Sequence, residues 1–432
     1  MMGAAKVNTR ASIGANIDLV ALLCLLLIDV RVFQGTDLVS FTLYELLIWG
    51  YCAPIVFSTF VLAGRHLAPQ PSSFLASIAQ YIGWLAFVSI LWFVFRHEPP
   101  VFQTVPQNAK NIFPALIETA FLLIRVRDIQ TVTMLCNLYI GYSVLSAIVG
   151  ILQFKYGAPY FRELIDGIEF KMNFEGQVIT SPVVGFMYHP NIYAMAILPS
   201  VVFVALRLIN DIRTGRISLI TVASFSLLVV GLLISDARGS IAFSAVAILC
   251  IAFARHRKGL FKLTMIVAAV VAVVLYSAQQ ARLGNAAAST VVGRSVLWQI
   301  AYDAMWSEVY VPFFGDGMNY THRWNWQELG ADLPTAHNGW IDQAINFGLP
   351  ALVLYFRIWW RFFSVTDAAV RREFGLPQNL LDGIRCAVLA FMGVYFFEPV
   401  DYVTFPISQL FFLMGLGVAT AQLITQTRGQ HA

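Results

Sequence analysis

Apolar runs of bilayer length follow one another along the whole chain, and they decide what it can fold into. A helix crossing the hydrocarbon core needs about 20 mostly apolar residues. Twelve segments answer that description: 13–30, 38–63, 74–95, 111–124, 129–153, 191–209, 217–234, 240–254, 260–277, 337–360, 380–397 and 403–423. Only 12% of the 432 residues are charged and 58% are hydrophobic, whereas a soluble domain carries about 25% charged residues. No water-soluble core of this size hides so much apolar surface, and the mean hydropathy of +0.70 agrees. The sequence therefore predicts an all-α polytopic membrane protein with about 12 transmembrane helices, forming a single integral membrane domain over 1–432.

Sidedness follows from the distribution of Lys and Arg. With the N-terminus inside, 18 of the 28 Lys and Arg fall on the inner face and ten on the outer. An even number of spans with both ends inside is expected. Lys6 and Arg10 precede the first run, which lacks a small-x-small cleavage site and is expected to remain as the first span. The five cysteines (Cys24, Cys52, Cys136, Cys250, Cys386) sit in apolar runs without paired spacing and read as small buried hydrophobes. The net charge of +4 is small and dispersed, so no nucleic-acid partner is expected. Asp18, Asp29, Glu45 and Glu118 fall inside spans, mostly toward their ends, which suits structural hydrogen bonding better than a midplane ion relay.

Two outer loops, 154–190 and 278–336, are far longer than a connection requires, and function is expected there. In the second, Val292, Val296, Ile300 and Ala304 recur every four residues along Val291–Met305. That spacing predicts an amphipathic helix on the membrane surface, ended by Pro312 and the Gly315-Asp316-Gly317 turn.

The residues richest in chemistry stand where this loop meets the tenth span: Pro334-Thr335-Ala336-His337-Asn338-Gly339. Thr335 is a candidate helix cap, which puts His337 in the first turn. There the helix dipole disfavours imidazolium and the free N–H groups attract anions, so a proton-accepting base would adjoin an anion site. Gly348 follows eleven residues later on the same face and leaves room for another helix or a lipid chain. Asn338, Asp342 and Asn346 form a second stripe running inward. Ordinary bundle packing with a surface histidine accounts for the same spacing.

Outer-face arginines form a second group: Arg238 in the turn Ser235-Asp236-Ala237-Arg238-Gly239-Ser240, with Arg282 and Arg294 in the long loop. Guanidinium forks suit phosphate oxygens, and several together stabilise a diphosphate leaving group without a metal. Pairing with Asp236, Asp303 or lipid headgroups is the plainer alternative for any one of them. The stretch Gly185-Phe186-Met187-Tyr188-His189-Pro190-Asn191 reads as a structural helix entrance, with His189 able to line a site. A Gly-rich phosphate loop, HExxH, CxxC and GxSxG are all missing from the sequence, so nucleotide hydrolysis, zinc proteolysis and serine hydrolysis lack their parts.

Together these pieces resemble the O-antigen ligase family and its superfamily of O-antigen polymerases and protein O-oligosaccharyltransferases. His337-Asn338 followed by Gly348 is similar to the family's ligase motif. Gly293-Arg294 with Leu297-Trp298, then Pro312 and Gly315-Asp316-Gly317, is similar to the pattern preceding it, and Ala237-Arg238-Gly239 and His189-Pro190-Asn191 also fit. The resemblance covers about 185–351 closely, and Ala351 stands where the family pattern has glycine, threonine or tyrosine.

The resemblance implies a bacterial inner-membrane enzyme working at the periplasmic face, which makes 154–190 and 278–336 periplasmic loops. It implies transfer of an O-antigen polysaccharide from undecaprenyl diphosphate to a sugar hydroxyl of lipid A–core, inverting, with no nucleotide, metal or other cofactor. His337 would be the base, with Arg238, Arg294 and Arg282 on the diphosphate. Asn338, Gly348, His189, Tyr320 and Trp324 would help bind substrate, and Trp326 belongs to the same aromatic stretch. Within the superfamily, a polymerase or protein oligosaccharyltransferase is the alternative. A glycolipid transporter or flippase, from a different class, would instead show repeat symmetry, discontinuous helices and midplane binding groups.

Overall fold

A computed structural model describes residues 16–27, 31–34, 40–62, 67–96, 113–156, 183–187, 190–235, 237–254, 298–317, 338–370, 376–395 and 404–429. In chain order these form α1 (Ile17–Leu26), the strands β1 (Arg31–Gln34) and β2 (Ser40–Thr42), and α2 (43–62). Next come α3 (Pro69–Arg96), α4 (113–125), α5 (Ile129–Tyr156), α6 (Pro190–Thr214), α7 (Leu219–Ile234) and α8 (Arg238–Ala254). The last are α9 (298–305), α10 (Val311–Phe314), α11 (Gly339–Val370), α12 (Leu376–Tyr395) and α13 (Thr404–Gly429).

Among the described residues, five helical stretches are long and apolar enough to cross a membrane: Leu43–Phe60, Pro69–Trp92, Ile129–Tyr156, Asn191–Thr214 and Pro406–Gln426. Ile17–Leu26, Leu219–Ile234 and Gly239–Leu249 are shorter apolar helices. The chain is a helical membrane protein. Helix stands at every expected span except 260–277, which lies outside the described residues.

The described fold is helical apart from one short hairpin. Strands β1 and β2 pair antiparallel, Phe33 opposite Phe41 and Gln34 opposite Ser40. The second expected span, 38–63, therefore begins as strand, and its helix starts at a capping box. Thr42 Oγ1 accepts from the Glu45 N–H at 3.2 Å, and Glu45 Oε2 accepts from the Thr42 N–H at 2.8 Å. Reciprocal caps of this kind satisfy two N–H groups that a helix start leaves open. Further along α2, a π-helical turn over Ile48–Cys52 precedes Pro54, whose ring excludes an ordinary helical hydrogen bond.

The other intramembrane carboxylates also have structural partners. Asp18 pairs with Arg125 Nε at 2.6 Å, and Glu118 accepts from the Tyr44 hydroxyl at 2.8 Å. Asp29 lies outside the described residues. Cysteine burial holds for Cys52 and Cys136, while Cys386 is intermediate and Cys24 is exposed. On a lipid-facing helix surface a thiol needs no protein cover, so apolar context alone did not place Cys24 inside.

Among the described candidate spans α6 and α13 are the most enclosed, each with 89% of its apolar window buried, and α5, α7, α8 and α12 pack around α6. Its Tyr193 ring is held by glycines. A Cβ on Gly150 of α5 or Gly231 of α7 would stand 2.8 or 2.6 Å from the Tyr193 hydroxyl. Small residues let helices approach closely where lipid offers no hydrophobic drive to association. Polar groups pair across the same bundle. The Tyr139 hydroxyl donates to the Ala196 carbonyl at 3.1 Å, and the Ser200 hydroxyl donates to Ser143 Oγ at 2.8 Å, both near Pro199 inside α6.

Candidate active site

The site is built on the start of α11. Asn338 caps this helix, its Oδ1 accepting from the N–H groups of Trp340 and Ile341 at 3.0 and 3.2 Å. The sequence pointed to Thr335 as cap and put His337 in the first turn. The observed cap falls three residues later, so His337 immediately precedes it. An asparagine side chain is short enough to reach two free N–H groups at once, and that decides the position.

The expected straight span over 337–360 is also corrected. At Gly348 the backbone takes φ 82° and ψ 166°, which breaks α11 into two halves. The Trp340 ring stacks on Phe356 at 4.4 Å and meets Tyr355 and Trp359 at 5.6 and 6.2 Å. In a straight helix residues 340 and 356 would stand about 24 Å apart. The halves must therefore fold back on each other about Gly348. Tyr395, the last residue of α12, closes the aromatic seam, 5.4 Å from Trp340 and 5.3 Å from Tyr355. Gly339 is small because of it: a Cβ there would come within 2.6 Å of the Tyr395 ring.

Breaking a helix frees carbonyls, and the chain accounts for them individually. The Ile345 carbonyl accepts from the Asp316 N–H at 2.6 Å and the Asn346 carbonyl from the Gly317 N–H at 3.1 Å. The Phe347 carbonyl accepts from the Trp84 indole N–H at 2.8 Å, and the neighbouring Phe314 carbonyl from Trp92 at 3.2 Å. Two glycines make the approach possible. A Cβ on Gly348 would lie 2.2 Å from the Phe313 oxygen, and one on Gly315 (φ 69°) would lie 2.3 Å from the Asn346 carbonyl. The room that Gly348 was expected to leave is taken by the backbone of α10.

The turn expected to end the surface helix thus does something else. Helix α9 stops at residue 305, and Pro312 falls in the first turn of the separate α10, where its missing N–H costs nothing. Gly315-Asp316-Gly317 then caps the break in α11. Along α9, Ile300, Ala301 and Ala304 are buried while Tyr302 is exposed, an amphipathic pattern. Val292 and Val296 lie outside the described residues.

Arg238 opens α8. Phe243, five residues in, packs on Gly393 of α12, whose Cβ position lies 2.0 Å from the Phe243 ring. Five residues are about 7.5 Å of helix, so the start of α8 stands near the end of α12 that carries Tyr395, against which Gly339 of α11 packs. The fold brings the backbones of Arg238 and Asn338 to the same end of the bundle. Asn338 is buried, and its Oδ1 is occupied by the cap. His337, Arg282, Arg294, His189, Tyr320, Trp324 and Trp326 lie outside the described residues.

Sequence reasoning missed the donors Trp84 and Trp92 and the aromatic seam around Trp340. A signal existed for the first two: Trp84 stands well inside its run instead of at an interface, where its indole N–H requires an acceptor.

The fold and this broken helix define the class as a polytopic helical membrane protein with a periphery of glycine-locked, hydrogen-bonded backbone at one end. A family model described as O-antigen ligase matches residues 223–356, so this segment is similar to that family. The match runs from α7 through the fold-back of α11, taking in Arg238, Arg282, Arg294, His337 and Gly348 and leaving out His189. No curated protein matches the sequence.

Proposed function

We propose that the protein is an O-antigen ligase with about 12 spans, multi-pass in the bacterial inner membrane with its site facing the periplasm. It transfers an O-antigen polysaccharide from undecaprenyl diphosphate to a sugar hydroxyl of lipid A–core. The observation that carries this reading is the family match over 223–356, because that one segment contains both the Arg238 turn and the His337-Asn338 motif. The approach of the Arg238 and Asn338 backbones supports it.

In this reaction His337 takes the proton of the acceptor hydroxyl. The hydroxyl oxygen forms a bond to the anomeric carbon from the face opposite the diphosphate, the carbon–oxygen bond to the diphosphate breaks, and the electron pair leaves on the diphosphate. Configuration inverts. Arg238, Arg294 and Arg282 stabilise the departing charge, with no nucleotide, metal or other cofactor taking part. Tyr320 and Trp324 stack on sugars and His189 lines the site. Asn338 offers the site its amide NH2 group, since its oxygen serves the cap. Gly348 acts from a distance by holding the fold-back.

A transporter of glycolipids would use a discontinuous helix to present open backbone to its cargo. Here the carbonyls of Ile345, Asn346 and Phe347 are all occupied by protein donors, which favours the enzyme.

The test mixes purified protein with lipid-linked glycan and lipid A–core, in chelator and without nucleotide. Glycan should appear on lipid A–core, and His337→Ala and Arg238→Ala should abolish turnover while the protein stays folded. Glycan lengthening on the lipid carrier in place of transfer to lipid A–core would identify a polymerase. Movement of intact lipid-linked glycan across proteoliposomes without transfer would identify a transporter.

A further inference from the structure

We propose that the stripe Tyr302, Trp306, Val309 and Phe313 of α9–α10 is a lipid-binding surface, seated in the leaflet of the bilayer into which the Trp92 end of α3 leads. The inference goes beyond the transfer reaction proposed above and does not depend on it.

The stripe follows from which sides of this segment the protein already covers. Its four members are spaced by four, three and four residues, the spacing of one side of a helical ribbon. They are 62%, 58%, 88% and 59% exposed. Helical hydrogen bonding runs past the end of α9, with the Trp306 N–H bonding the Tyr302 carbonyl at 3.2 Å and the two rings 6.3 Å apart. Ile300 and Ala304 stand about 160° around the helix from Tyr302 and are buried against the protein. The regular apolar spacing seen in the sequence at those two residues therefore faces the bundle. Gln299, Asp303 and Ser307 fill the side between, all three exposed, with Gln299 Nε2 donating to Asp303 Oδ1 at 3.0 Å. One side thus meets protein, one suits water, and the third is aromatic. A helix lying between protein and water would be polar on both of its open sides.

Depth says what covers the aromatic side. The apolar stretch of α3 runs from Pro69 to Trp92, and α10 is fastened along its last turns. The Trp84 ring stacks on Phe314 at 6.1 Å, Trp92 Nε1 donates to the Phe314 carbonyl at 3.2 Å, and the Trp92 ring meets Tyr310 at 5.4 Å. Trp84 and Trp92 are about 12 Å apart along the helix, so α10 lies within the apolar depth of α3. At that level Phe87 and Ile90 of α3 are exposed, and so are Leu349 and Val353 of α11, just past the Gly348 that abuts the Phe313 carbonyl. Exposed apolar side chains on a span at that depth face lipid, and Phe313 continues their surface. Toward Trp306 and Tyr302 the stripe changes to indole and phenol, the side chains that settle at a membrane–water interface. Glu308, exposed in the turn between α9 and α10, stands at the headgroup level of this arrangement, where a carboxylate keeps its water. The contact also bears on the broken helix. α10 leads into the Asp316 and Gly317 N–H groups that serve the Ile345 and Asn346 carbonyls, so lipid that holds α10 holds this cap.

Nitroxide labels read the surroundings directly. They are placed on Tyr302→Cys, Trp306→Cys, Val309→Cys and Phe313→Cys of the full chain, in a background without the five native cysteines, reconstituted in phosphatidylcholine nanodiscs. Asp303→Cys and Ser307→Cys serve as the water-side reference. Oxygen concentrates in lipid, whereas a nickel chelate stays in water. The ratio of oxygen to nickel collisions should be about threefold or more higher along the stripe than at the two reference positions. Equal ratios would put the stripe in water and overturn the proposal. Few collisions with either reagent would mean that protein covers it, a second copy included, and would overturn it as well. Val309 is the most exposed of the four, so its replacement disturbs no packing and the result there stands even if an aromatic variant fails to fold.

Discussion

Single residues in this protein are chosen by what their backbone or hydroxyl must avoid. Gly348 and Gly315 both hold positive φ, and in each a Cβ would strike the other segment's backbone. Gly348→Ala should lose about 1–2 kcal/mol from backbone strain alone and more from the clash. A clear drop in melting temperature of the detergent-solubilised protein, with loss of transfer, is expected. A melt equal to wild type would mean that the break tolerates a side chain. Tyr193 makes the opposite point: its buried hydroxyl has no hydrogen-bond partner among the described residues and fits between Gly150 and Gly231. Tyr193→Phe removes an unsatisfied polar group and should leave stability unchanged or raised, whereas Gly231→Ala should lower it. Equal losses in both variants would show that the hydroxyl is needed.

Among the elements, α11 holds the main consequence of the fold, because its two halves meet through rings sixteen residues apart. Trp340→Cys with Phe356→Cys, in a background without the five native cysteines, should be joined within one chain by a short bifunctional maleimide. Mass spectrometry would show one reagent attached at both ends. Two singly attached reagents would mean a straight helix. Trp84→Phe tests the carbonyl accounting: it deletes the donor to the Phe347 carbonyl and should cost about 1–3 kcal/mol for a buried acceptor left open. A melting temperature unchanged from wild type would show that another group serves that carbonyl. Much of α11 was legible beforehand. Asn338 stood out in a polar stripe and Gly348 as a small residue leaving room, but the cap was assigned to Thr335 and the span 337–360 was read without a reversal. Local periodicity continues unbroken through Gly348 to Pro350, so nothing in the spacing marks the reversal.

At the scale of the whole molecule, side-chain pairs connect helix ends that the charge bias places on one face. Asp18 at the start of α1 meets Arg125 at the end of α4, and Arg385 of α12 meets Asp367 of α11 at 3.1 Å. Both pairs fall on the face assigned inside. Single cysteines replacing Lys155, at the end of α5, and Arg216, before α7, should label oppositely with an impermeant maleimide. Lys155→Cys should react from outside in intact cells and Arg216→Cys only after permeabilisation. The reverse pattern would invert the topology and put the Asn338 end in the cytosol.

The sequence by itself determined the solvent, the helices and their order, because apolar run length and charge depletion act locally and need no partner to be recognised. It also marked Asp18, Glu45 and Glu118 as groups requiring structural hydrogen bonds. Tertiary structure alone decided that α11 doubles back, that Gly315-Asp316-Gly317 and Trp84 cap its broken end, and that α8 starts near the end of α12. Those arrangements rest on hydrogen bonds and ring contacts between segments far apart in the chain. Their free energy appears only when the distant backbone is already in place, so no window of neighbouring residues contains it.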